Sequence, residues 1–164
     1  MKVKDEFFIR KIKEEDNIDL QRVLSNVMRE FKVPETGTAL ADPELKNMFQ
    51  AYDGHKSSYF IILKNKTLLG GAGISKLKNS NDKICELQKM YFSKDARGKG
   101  LGSFMIDLCL EKAIKYGFEK CYIETMHNMN KAQILYLKKG FRYLENPLGN
   151  TGHSSCPVWM IKEL

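Results

Sequence analysis

Met90-Tyr91-Phe92-Ser93-Lys94-Asp95-Ala96-Arg97-Gly98-Lys99-Gly100-Leu101-Gly102-Ser103 joins the end of an apolar strand to the start of a helix through three alternating glycines. Glycines at 98, 100 and 102 remove side chains where a helix exposes its first unpaired N–H groups, so a ligand can approach bare backbone. The helix dipole favours negative charge at that end. Arg97 and Lys99 place cations beside it, which suits a phosphate and above all a pyrophosphate. Two phosphate loops are excluded by spacing. A Walker turn needs Gly-x-x-x-x-Gly-Lys-Ser/Thr, and Leu101 follows Gly100 here. The dinucleotide fingerprint needs Gly-x-Gly-x-x-Gly after a first strand, whereas this chain has Gly-x-Gly-x-Gly late in its length.

The strand feeding this turn runs from Ile84 to Phe92. Strict alternation places Ile84, Glu86, Gln88, Met90 and Phe92 on one face and Cys85, Leu87, Lys89 and Tyr91 on the other. Polar residues mixed into an otherwise apolar face point to a wet cleft beside the core, and a bulge would shift the register of either half. Upstream, Phe7 to Ile12 has the pattern of a first strand, and Asp16 or Asn17 can cap the helix that follows. Leu20, Val23, Leu24, Val27, Met28 and Phe31 then make one continuous apolar stripe. Asp42-Pro43 has the form of a cap followed by proline at the first helical position, so residues 33–55 are expected to form an amphipathic helical hairpin. Tyr59–Leu63 and Leu68–Ile74 are expected strands joined at a turn on Asn65-Lys66. Gly70, Gly71 and Gly73 within the second mark a bulge or the close approach of a neighbour.

Downstream, a helix is expected from about Gly100 to Tyr116, ended by Gly117, then a strand over Cys121–Met126. A helix over Lys131–Lys139 should close on Gly140. Phe141–Tyr143 and Val158–Ile161 complete the strands. Between them lies a polar loop, residues 147–157, too long for a tight hairpin. His153 in that loop either lines an acceptor site or sits at the surface.

The run Leu87 to Phe92 followed by Arg97-x-x-Gly100-x-Gly102 resembles the acetyl-CoA signature of the GNAT acyltransferase superfamily. A second block, Ala132 to Phe141 with Tyr136-x-x-x-Gly140-Phe141, resembles the helix that follows in that family. The resemblance implies an α/β (α+β) fold: a mixed, mostly antiparallel central sheet of about seven strands flanked by four helices, forming a single domain over 1–164. It also implies acetyl-CoA as co-substrate and no metal. Backbone groups of Met90, Tyr91 and Phe92 would hold the pantetheine arm, and Arg97, Gly98, Lys99, Gly100, Leu101, Gly102 and Ser103 would cradle the pyrophosphate. Where many relatives carry an asparagine ahead of the helix alanine, Met129 stands between Asn128 and Asn130; Asn130 and Lys139 are the remaining candidate cofactor contacts. Tyr136 matches the tyrosine that protonates the departing CoA sulfur in many relatives, although its position alone also suits a core aromatic beside Ala132 and Leu135. Glu86 matches a glutamate that in some relatives removes the amine proton, usually through water, with Glu124 as the alternative carboxylate. Residues 33–55 fall where the family commonly builds a wall of its acceptor pocket.

Composition sets the outer bounds. A chain of 164 residues with 43% hydrophobic content suits one domain with a substantial core. A net charge of +7 spread along the chain suits a polyanionic small molecule as well as a nucleic acid; aromatic residues are not interleaved on a basic stripe, which disfavours a nucleic-acid partner. The four cysteines lack Cys-x-x-Cys spacing and are expected to be buried, reduced thiols of a cytoplasmic protein. Met1 to Glu6 runs into mixed charge without an apolar stretch fit for a signal peptide or membrane span, so no membrane partner is expected. The resulting expectation is an N-acetyltransferase acting on a primary amine of a small molecule, of amino-acid or polyamine type, with Glu124 and His153 at the acceptor and the chain a monomer or homodimer. The rivals are a protein or peptide N-terminal acetyltransferase and a CoA-binding regulatory module without catalysis.

Overall fold

The computed structural model describes residues 1–4 and 6–164. In chain order it contains β1 (Lys2–Lys4), β2 (Phe7–Lys11), α1 (Asn17–Glu30), α2 (Met48–Ala51), β3 (Ser58–Lys64), β4 (Thr67–Lys76), β5 (Ile84–Phe92), α3 (Leu101–Lys115), β6 (Lys120–Thr125), α4 (Asn130–Lys138), β7 (Arg142–Leu144) and β8 (Val158–Glu163). The strands form an eight-stranded sheet in the order β1-β2-β3-β4-β5-β6-β8-β7. Every neighbouring pair is antiparallel except β5 with β6. The strand count is eight and not about seven: the extra strand is β1, a short, charged edge whose sequence has no apolar alternation and which is held by pairing with β2.

The apolar stripe of α1 lies where its periodicity places it, with Leu20, Leu24 and Met28 packed against Ile12, Tyr59 and Ile61 on one side of the sheet. α3 covers the other side, where Met105, Ile106 and Cys109 meet Ala72, Ile74, Cys85 and Leu87. The β3–β4 turn falls on Asn65 and Lys66, both at positive φ, as a two-residue hairpin of the primed type requires. All four cysteines are buried and unpaired. Among the described residues, no helix is long and apolar enough to cross a membrane.

Residues 33–55 are not a helical hairpin. They hold two 3₁₀ turns, Ala39–Ala41 and Pro43–Lys46, and the single helical turn α2, separated at Asn47. Asp42 does precede Pro43 at a helical start, but its side chain makes no cap hydrogen bond. That carboxylate is taken instead by His153 and Lys89, so the expected helix loses its cap to a tertiary contact.

A bulge in β5 re-aims the strand. Gly73 pairs with Gln88 and Gly71 with Tyr91, so Ala72 alone faces both Lys89 and Met90. Lys89 takes φ +48, unusual for a residue with a side chain. Beyond the bulge the alternation is reversed: Met90 and Phe92 pack with Leu87 on the α3 side, and Tyr91 packs on the α1 side. The bulge that the sequence left open is thus located at Lys89, and it shifts the register of the half that follows.

The glycines of β4 make this bulge possible. A Cβ on Gly73 would lie 2.5 Å from the Tyr59 ring and 2.7 Å from the Ser58 carbonyl; one on Gly71 would lie 2.3 Å from the Phe60 carbonyl. The bare strand lets Tyr59 lie across it, and its hydroxyl donates to the bulged Lys89 carbonyl at 2.7 Å. Gly73→Ala must push the ring or backbone away and break that bond. It is expected to cost about 1–3 kcal/mol, read as a lower urea midpoint at unchanged slope; an unshifted midpoint would show that Tyr59 does not depend on the bare strand.

Pairing of β5 with β6 covers Ile84, Cys85 and Glu86. Past Glu86, β6 continues on β8 while β5 continues on β4, and the sheet opens into a wedge. Two cavities lie along this opening.

Candidate active site

The larger cavity, about 620 Å³, is walled by Val27, Glu30 and Phe31 of the α1 end, by Met90–Phe92, by the glycine turn and by residues 128–132 with Leu135 and Tyr136. Gly100, at φ +78, is the residue before α3 and makes no side-chain cap. The first N–H groups of α3 thus meet the cavity without a capping side chain in front of them. Gly102 is bare for a packing reason as well, since a Cβ there would come within 3.2 Å of Leu135 and 3.4 Å of Met90.

Arg97 spans the mouth of this cavity. Its two terminal nitrogens bond the Glu30 carboxylate at 2.8 and 2.9 Å, its Nε donates to the Phe92 carbonyl at 2.7 Å, and its guanidinium lies over the Phe31 ring. Its charge is therefore matched by Glu30, and the main-chain donors of the turn and Lys131 of the lining remain as sources of positive field. Ser103 and Asn130 also line the cavity. The side chains of Lys99, Leu101 and Lys139 point elsewhere: Lys99 lies over Phe7, Leu101 is in the core, and Lys139 pairs with Asp107 of α3. Asn128 donates to the Phe31 carbonyl and ties the β6–α4 loop to α1.

Tyr136 is 5% exposed, lines the same cavity and has its ring tilted against Phe141. Burial pushes its phenol pKa well above the usual value, so the hydroxyl stays protonated at any working pH.

The smaller cavity, about 30 Å³, is a narrow chamber lined by Ala39, Glu86, Leu87, Gln88, Lys89, Tyr91, Glu124, His153 and Cys156. Tyr91 lines both cavities and so stands between them. Glu86 is 3% exposed. Burial raises its pKa to about 7, with Glu124 adding to the rise, against the hydrogen bond from Gln88 and the charges of His153 and Lys89. Gln88 Nε2 donates to Glu86 Oε2 at 2.7 Å, and Tyr52 in turn donates to Gln88 Oε1 at 2.6 Å, fixing which end of the amide faces the carboxylate. Glu124 accepts from Tyr122 at 2.8 Å and from Thr151 at 2.7 Å. Cys156 remains a thiol, because burial pushes its pKa up to about 12.

A chain of charge roofs the chamber. Lys89, whose side chain is 3% exposed, meets Asp42 at 2.6 Å, and Asp42 meets His153 Nε2 at 2.9 Å. Burial opposes charge on Asp42, but His153 and Lys89 outweigh it and hold its pKa at about 2. His153 Nδ1 faces Glu124 at 3.7 Å. A second tie, from the Ser155 N–H to the Gly37 carbonyl, joins the same two loops. His153 is therefore no free surface residue; it bridges loops at positions 42 and 153 that no local pattern connects.

Glu86, Glu124 and His153 each bring one donor atom within 4.8 Å of the others. Such a trio can hold a cation in principle, yet Glu124 is bonded by Tyr122 and Thr151, Glu86 by Gln88, and His153 by Asp42, with the Lys89 ammonium beside them. Hydrogen bonds and ion pairs thus engage all three side chains. Lys89, Asp42, Gln88 and Tyr52 were not among the candidate site residues read from sequence, although Gln88 on the mixed strand face and one lysine inside an apolar strand were usable signs.

A sheet split between parallel strands, a bare helix N-terminus at the mouth and a buried carboxylate deeper in define an N-acetyltransferase. The chain belongs to the acetyltransferase (GNAT) family, whose model matches residues 22–141. It is 37% identical over 157 residues to the uncharacterized N-acetyltransferase YjgM of Escherichia coli (strain K12), a match covering 95% of this chain and 94% of that protein. In fold it is similar to a GNAT-family acetyltransferase of Staphylococcus aureus MU50, at a TM-score of 0.84 and 17% identity over 96% of this chain and 98% of that one. It is also similar to the PaiA N-acetyltransferase of Thermoplasma acidophilum, solved in complex with coenzyme A, at a TM-score of 0.74 and 15% identity over 96% and 99% of the two chains.

Proposed function

We propose that the protein transfers the acetyl group of acetyl-CoA to a primary amine of a small molecule, of amino-acid or polyamine type, by direct attack in a ternary complex. The observation that carries this reading is the pair of cavities meeting at Tyr91: an open cleft with bare main-chain donors, and a narrow chamber holding Glu86. In the cleft the N–H groups of the glycine turn and of the α3 start take the diphosphate, and the free edge of Met90–Phe92 takes the pantetheine arm. The coenzyme A held by the Thermoplasma neighbour supports that use of the cleft.

Acetyl transfer needs a neutral amine, a place for the tetrahedral oxyanion and a proton for the departing thiolate. Glu86 takes the amine proton, directly or through one water, and Tyr136 gives a proton to the CoA sulfur. The protonated Cys156 thiol is a poor nucleophile, which favours direct attack over an acyl-enzyme. Carboxylates at Glu86 and Glu124 favour an acceptor that arrives as a cation. The ties between the loops at Gly37 and Asp42 and at His153 and Ser155 favour a small acceptor over a peptide, which needs an open groove.

A thiol-release screen of amino acids, polyamines and short peptides with acetyl-CoA tests the reading, together with calorimetry of acetyl-CoA binding. Turnover confined to small cationic amines is expected. Peptide turnover alone would replace the small-molecule acceptor, and absence of heat at millimolar acetyl-CoA would remove the cofactor site itself.

A further inference from the structure

We infer that His153 carries the amine proton from Glu86 to solvent, acting as the positioning and relay residue behind the base. This rests on the assignment of Glu86 as base. Glu86 is 3% exposed and lies in the small chamber beside Gln88 and Tyr91, so a proton it accepts reaches bulk water most directly through a neighbouring titratable group. A base that cannot discharge turns over once.

His153 is placed to discharge it. Its ring lies in the same chamber, with its donor atom within 4.8 Å of those of Glu86 and Glu124, a gap that one water spans. Its side chain is 13% exposed, against 3% for Glu86, so it reaches toward solvent through the 147–157 loop. The partners around the imidazole fix its tautomer. Asp42 accepts from Nε2–H, which leaves Nδ1 of the neutral ring as an acceptor facing the carboxyl groups. The charged and titratable groups facing it are Asp42 and Glu44 from the 3₁₀ segment, Glu86 and Lys89 from β5, Glu124 from β6 and Cys156 from its own loop. Burial works against a charged His153, but the Asp42 hydrogen bond and charge outweigh it and raise its pKa above the usual imidazole value.

The step balances. The substrate ammonium gives a proton to the Glu86 carboxylate, and the freed lone pair forms a C–N bond at the thioester carbon. The adduct collapses with cleavage of the C–S bond, Tyr136 protonates the departing sulfur, and the adduct nitrogen returns a proton to the Tyr136 phenolate, leaving amide and free thiol. The Glu86 carboxyl passes the proton through water to Nδ1 of neutral His153, forming an imidazolium stabilised by Asp42. The imidazolium releases it to solvent, restoring the carboxylate and the neutral ring.

His153→Gln keeps an amide donor for Asp42 but cannot bind the proton. The expected result is a fall in kcat of roughly a hundredfold, the lower end of what a positioned proton-transfer group supplies, with KM for acetyl-CoA unchanged because His153 lies outside the large cavity. In His153→Ala, added imidazole should restore turnover in proportion to its free-base concentration. A purely structural role for His153 gives no such rescue, and absence of rescue overturns the relay. Wild-type kcat in His153→Gln across the pH profile, beside an inactive Glu86→Gln, overturns the relay while keeping the base. Full activity in Glu86→Gln removes the base, and the relay with it.

Discussion

Replacing Glu86 by glutamine is expected to slow acetyl transfer by about 10²–10⁴-fold, the contribution of a positioned general base, with KM for acetyl-CoA little changed. The replacement is close to isosteric, and the new amide carbonyl can still accept the Gln88 hydrogen bond, so folding should be preserved. What is lost is the ability to take a proton. Burial raises the pKa of Glu86 to about 7. The deprotonated form is the active one, so wild-type kcat/KM should climb as pH rises through about 7. In the variant that limb should vanish, leaving only the titration of the acceptor amine itself. The paired measurement is a pH–rate profile of both proteins with one amine. An unchanged rate with an unchanged profile would remove Glu86 from the base's place, and Glu124 is then the next carboxylate to replace.

The features legible in the sequence are those set by local chemistry. Three alternating glycines between a strand and a helix, the stripe from Leu20 to Phe31, the Asn65-Lys66 turn and the Gly140 stop each depend on near neighbours, and each falls where expected. The features that were missed depend on partners far away in the chain. A bulge in β5 was allowed for but its place was not legible: it falls at Lys89 because Tyr59, from β3, reaches across bare glycines to hold the bulged carbonyl. Asp42 looked like a helix cap because a cap is the local use of Asp before Pro, whereas its partners are Lys89 and His153, the latter 111 positions away. The chamber was visible only as loose hints, a glutamate and a glutamine on one strand face and a histidine in a long loop. What assembles them is the divergence of β5 and β6 after Glu86, which follows from pairing and not from pattern.

The second large effect is expected at Tyr136. Phenylalanine there keeps the ring, its contact with Phe141 and the burial, and removes the hydroxyl alone. A drop of about 10²-fold in kcat is expected from losing a proton donor of this kind. The KM values for acetyl-CoA and the amine should stay close to wild type, since the thiolate needs the proton only as it departs. An interaction made only in the transition state lowers kcat and kcat/KM together. The dependence on leaving group separates this role from a packing defect. A thioester of a more acidic thiol needs less protonation, so the deficit of Tyr136→Phe should shrink with such a donor, whereas a ring displaced from the cavity would slow both donors equally. Because burial raises the phenol pKa, the wild-type enzyme should show no loss of activity from Tyr136 ionising in the neutral range. A Tyr136→Phe enzyme as fast as wild type with acetyl-CoA would leave the departing sulfur to be protonated by solvent or by the ammonium of the tetrahedral adduct, and Tyr136 would then be a wall of the cleft only.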